Sequence, residues 1–148
     1  MNINPKIVLT ASLALLIGAL VMHVSIFLGL EEAPYSIDWF MTAAMVVIWL
    51  LSSRLFKQLH QNQPALPPVK VLRSNTPGWL PFFVAFVGLY AVFNMGMMIR
   101  TRWAGNNLRG ISGFWIFFFA FGLLISWAKI NQQHKVQNAH SKIEDKQQ

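Results

Sequence analysis

The feature that most constrains this chain is a set of four stretches, 7–30, 37–56, 79–99 and 111–128, that run almost without charge. A soluble domain has about a quarter of its residues charged. Here 55% of 148 residues are hydrophobic and 11% charged, and the apolar positions come in blocks. A block of about 20 such residues matches the ~30 Å hydrocarbon core of a bilayer as an α-helix. The first, with 24 residues, reaches ~36 Å as a helix and crosses with tilt. Its length and the single cation before it, Lys6, read as an uncleaved anchor rather than a signal peptide. The blocks are continuous, whereas a membrane β-barrel alternates over about ten residues. The expected fold is therefore all-α, an integral membrane four-helix bundle.

Residues at the block ends agree. Trp39, Trp79, Trp103 and Trp127 fall where an indole prefers the headgroup region, while Trp49 and Trp115 lie deeper. Pro34, Pro77 and Pro81 stand at or near segment ends, where a missing N–H costs least.

Charge sets the expected orientation. Lys6, Arg54, Lys57, Lys70, Arg73, Lys129, Lys135, Lys142 and Lys146 share one side, and Arg100, Arg102 and Arg109 the other. The positive-inside rule then puts both termini in the cytoplasm. Glu31, Glu32 and Asp38 balance the three outer arginines, so the net charge of +7 is all cytoplasmic. The expected partners of that inner face are anionic lipid headgroups. No dense basic run with interleaved aromatics points to nucleic acid. Small size, a Gln-rich tail and the lack of Asn-x-Ser/Thr sites favour a bacterial cytoplasmic (inner) membrane.

Residues 1–130 read as the spanning domain, with a Pro-rich loop at 57–78 expected to run extended along the membrane surface as a spacer. Residues 54–60 can prolong the second helix. The polar tail, 131–148, has too little apolar content for a core and is expected to be a short helical extension that frays.

Several chemistries are excluded. The chain has no cysteine, which removes disulfide exchange and thiolate ligation. Three of its four histidines, His60, His134 and His140, lie outside the spans, so bis-histidine haem is not expected. No carboxylate sits well inside a span for proton coupling. No nucleophile triad, phosphate loop or metalloprotease motif is present. These exclusions point away from an enzyme, and no cofactor is expected.

Three features remain. His23 is the ionisable side chain well inside a span, and Asn94 lies at similar depth in the third, so the two are expected to form a structural polar pair. Met22, Met41, Met45, Met95, Met97 and Met98 all fall near the midplane or in the outer half. Thioethers beside an imidazole select Cu(I), which makes Met22, His23, Met95 and Met98 an alternative metal set. Methionine is also an ordinary gap filler, and packing is the favoured account. Finally, Arg100, Arg102 and Arg109 surround a Gly/Asn-rich outer turn that could hold an anion or lipid headgroup. Pairing with Glu31, Glu32 and Asp38 is the plainer use.

Ala14/Gly18, Ser25/Gly29 and Gly122/Ser126 are small-xxx-small pairs permitting close helix approach. Aromatics surround the fourth span from Phe114 to Phe121, so some must face lipid or another protein, and lipid is the plainer expectation. These traits favour a non-catalytic accessory or scaffold subunit with a membrane-protein partner, or a homo-oligomer. A small-solute or Cu(I) carrier is the alternative, and a headgroup-binding membrane enzyme ranks third.

Overall fold

The structure, a computed structural model, describes residues 3–29, 35–100 and 108–144, the side chains at 35, 36, 98, 108–110, 140, 143 and 144 excepted. Its elements are five helices: α1 (Pro5–Phe27), α2 (Tyr35–Gln61), α3 (Pro68–Asn75), α4 (Trp79–Arg100) and α5 (Leu108–Glu144). Stretches of α1, α2, α4 and α5 are long and apolar enough to cross a membrane. The expected transmembrane bundle is thus the observed one.

Local chemistry explains the ends. Asn4 caps α1 by accepting from the Lys6 N–H at 3.0 Å, with Pro5 in the first turn, where a proline loses no helical bond. Gly29, at φ +69°, follows the C-cap Leu28. A left-handed residue there stops the helix, and glycine takes that conformation at least cost.

α5 is the hub. It packs on α1, α4, α2 and α3, whereas α1 and α2 touch each other less. In its most apolar stretch 61% is buried, against 22–28% in the other three spans. This accounts for the aromatics that encircle it: Trp115 and Phe119 are fully buried, and Phe114, Phe117, Phe118 and Phe121 are half-buried. Protein rather than lipid is thus the main neighbour of these aromatics, as suits a helix apolar all round at the centre of a bundle, and only the half-buried four keep an outward side. The most exposed phenylalanines lie on the other spanning helices, Phe27 on α1, Phe40 on α2 and Phe82, Phe86 and Phe93 on α4.

One small pair makes the close approach. A Cβ on Gly122 would come within 2.5 Å of both Ile48 Cγ2 and Ser12 Oγ, so α1, α2 and α5 meet where there is no side chain. Ser126, one turn on, is fully buried. Ala14 and Gly18 are exposed, with open space beside Gly18.

The end where α1 begins, α2 ends and α5 runs past α3 carries Lys6, Arg54, Lys57, Lys70, Arg73, Lys129, Lys135 and Lys142, and is called the basic end below. Two expectations change there. The Pro-rich loop is not a plain extended spacer: Pro68 opens α3, which inserts Val71 beside Leu59 of α2 and Ala128 of α5. The tail does not fray from Asn131 but continues α5 to Glu144, a helix about 55 Å long. Side-chain bonds explain both. Lys135 Nζ donates to the Ser74 carbonyl at 2.6 Å, and Asn131 Nδ2 to the Asn75 carbonyl at 3.0 Å. Those carbonyls end α3 without an intrahelical partner, and a cation there also meets the negative end of the helix dipole.

Candidate functional site

A cluster of hydrogen-bonded side chains lies in the spans towards the end opposite the basic one. His23 projects from α1, and its two ring nitrogens are both engaged: Nδ1 lies 2.7 Å from Ser112 Oγ on α5, and Nε2 2.5 Å from the Tyr90 hydroxyl on α4. The imidazole and the Tyr90 ring meet edge to face, centroids 5.5 Å apart. His23 is 9% exposed and Ser112 fully buried, while Tyr90 keeps 36% of its surface open. A neutral imidazole has one N–H and one lone pair, and each hydroxyl can donate or accept. Both ring tautomers are therefore satisfied.

Asn94, expected to bond His23, instead donates its Nδ2 to the Tyr90 carbonyl one turn back at 3.1 Å. Two hydroxyls already fill the ring of His23, so the pair is replaced by a three-helix cluster. Trp115 Nε1 extends the linkage by donating to Thr42 Oγ1 on α2 at 3.2 Å. All four spanning helices are joined through α5 and His23. Tyr90 and Ser112 were missed because depth-matching considered ionisable and amide groups. The available signal was the set of hydroxyl side chains in the spans, Tyr90 and Ser112 among them, each able to complete an imidazole.

The other candidates fare differently. Met41 is a core residue, with Met22 and Met45 packed on the same cluster as Leu16, Ala19 and Trp115. Met95 is half-buried, and Met97 is 44% exposed. A metal at His23 would have to displace Ser112 or Tyr90 from a ring nitrogen. Arg100 is exposed at the end of α4. Arg102, Glu31, Glu32 and the side chains of Met98 and Arg109 lie outside the described residues, as does the pairing expected between the outer loops.

What this arrangement can do chemically is hold helices together. Interhelical hydrogen bonds in membranes contribute about 0.6 to 1.7 kcal/mol each, and an imidazole bridging two hydroxyls makes two of them. Comparison with protein-family models, with curated proteins and with solved structures finds no match to this chain.

Proposed function

We propose that this protein is a non-catalytic accessory or scaffold subunit of a membrane complex. The observation that carries this reading is the use made of His23. The ionisable group deepest in the spans is consumed by Ser112 and Tyr90 in a clasp across three helices, and an intramembrane ionisable group is otherwise the first suspect for transport or catalysis. Charge counting supports an orientation with both termini in the cytoplasm of a bacterial inner membrane, the basic end lying against anionic headgroups.

Native mass spectrometry of the protein extracted gently from its own membranes tests the reading. A stoichiometric protein partner is the expected result. A lone chain or homo-oligomer carrying copper or one defined small molecule contradicts it and favours the carrier alternative.

A further inference from the structure

At the basic end, α1 and α5 leave a cleft of about 490 Å³ lined by Lys6, Asn62, Lys129, Gln132, Gln133 and His134. Lys129 is the unusual member. It is only 8% exposed, and the hydrogen bond it makes is to Gln132 Oε1 at 3.1 Å. An ammonium has three N–H donors, so two of them have no acceptor among the described residues. Taking such a charge out of water costs several kcal/mol unless an anion or hydrogen bonds compensate.

No carboxylate within the described chain can be that anion. Asp38 lies at the opposite end of α2, and Glu144 is fifteen residues further along α5, about 22 Å away. The neighbouring charge is instead a second cation, Lys6, in the first turn of α1. Two lysines sharing one wall repel each other unless an anion lies between them.

The position of Lys129 is built, not incidental. Gln132, 4% exposed, donates its Nε2 to the Leu59 carbonyl at 3.1 Å and receives Asn62 Nδ2 at 3.1 Å on the oxygen that also takes Lys129. One amide thus ties α2 to α5 and fixes the ammonium. Two other cations here have protein partners: Lys135 holds the end of α3, and Arg73 lies 5.9 Å from the Phe82 ring centroid. Depth gives the ligand class. Trp127, 40% exposed and two residues before Lys129 on the same helix, marks the headgroup level.

We infer that this cleft is a binding site for a phosphate-bearing anion, held between the ammonium groups of Lys6 and Lys129 with His134 and Gln133 at its rim. The inference uses the membrane placement of the proposed function but not the existence of a partner subunit. The phosphate can come from a phospholipid headgroup or from free phosphate, and the test separates the two.

Purified full-length protein is titrated in detergent with phosphatidylglycerol, with phosphatidylcholine and with inorganic phosphate, and bound ligand per chain is read by native mass spectrometry or equilibrium dialysis. One phosphatidylglycerol per chain is expected, with Lys6→Gln and Lys129→Gln each weakening binding about tenfold, the scale of one charge-assisted hydrogen bond. Lys70→Gln, an exposed lysine on α3 outside the cleft, should leave it within about twofold. Inorganic phosphate binding with the same lysine dependence also supports the site and assigns it to a soluble anion. Lys6 is exposed, so Lys6→Gln remains informative if Lys129→Gln does not fold. Equal weakening by all three substitutions, or binding of neither phosphatidylglycerol nor inorganic phosphate, overturns the inference. Loss of the site with a protein partner still present, or the reverse, tells its failure apart from that of the accessory-subunit reading.

Discussion

The molecule holds two buried polar clusters, one at each end of the bundle, and they differ in whether their bonding is complete. At the distal end, His23, Ser112 and Tyr90 form a closed set in which each ring nitrogen has a hydroxyl partner. At the basic end, Gln132 bonds through both its amide oxygen and its amide nitrogen, yet the lysine it positions keeps two donors for whatever enters a cleft. Where hydrocarbon surrounds the helices, an imidazole depends on the protein for its partners, although the weaker dipoles of Ser12, Ser52 and Ser126 are buried there with none among the described residues. At the headgroup level, water, phosphates and ions supply partners, so a charge can remain incompletely satisfied by protein. In this reading the closed His23 cluster is structural and the incompletely bonded Lys129 is the proposed binding group.

Substitutions can break this contrast. The largest effect is expected for Gln132→Leu, which leaves the Leu59 carbonyl, Asn62 and the Lys129 ammonium without their shared partner and should cost about 3 kcal/mol. Thermal unfolding in detergent reads it, and added phosphatidylglycerol should restore part of the loss. His23→Leu removes both bonds of the clasp, for about 2 kcal/mol, and the same lipid should restore none of it. If lipid rescues both variants alike, the two clusters do not differ as described.

Serines sharpen the comparison further. Ser112→Ala should lose about 1 kcal/mol because it strands a ring nitrogen of His23. Ser12, Ser52 and Ser126 are equally buried, but their hydroxyls have no hydrogen-bond partner among the described residues, so alanine there should change stability by less than about 0.5 kcal/mol or raise it. A loss at these three as large as at Ser112 would show that burial rather than bonding sets the cost. The smallest effect on global stability is expected for Lys135→Met, since Lys135 is exposed. Its signature is local: amide exchange in α3 should quicken severalfold while the spans are unchanged.

Four spans were legible because a bilayer demands length and apolarity together, and both are written along a chain. The prolongation of α2 beyond the apolar block was legible in residues 54–60, and the helix ends at Gln61. The docking of α3 was hidden, since it depends on Asn131 and Lys135 from a polar segment that shows no core by itself. The hub role of α5 was written in its encircling aromatics, but lipid and protein are similar neighbours to a phenyl ring, and hydropathy does not separate them. At the distal cluster, depth identified His23 and not its partners. Tyr90 and Asn94 lie one turn apart on the same face of α4, so a shift of about 6 Å along the helix axis decides which of them meets the imidazole, and a continuous apolar run does not fix depth that finely. The cleft was the least legible element. Lys6 and Lys129 were both counted in the basic face, but only the packing of α1 on α5 shows that they share one wall.

Histidines report on both ends in one experiment. His23 sits in the closed cluster, and His134 lines the cleft. Nitrogen-15 spectra of histidine-labelled protein in phosphatidylcholine nanodiscs can be followed as phosphatidylglycerol or inorganic phosphate, and separately Cu(I), is added. The account predicts that His134 moves with the phosphate-bearing ligand while His23 holds its position throughout. A shift of His23 on adding Cu(I) or anion, with His134 unmoved, would contradict it.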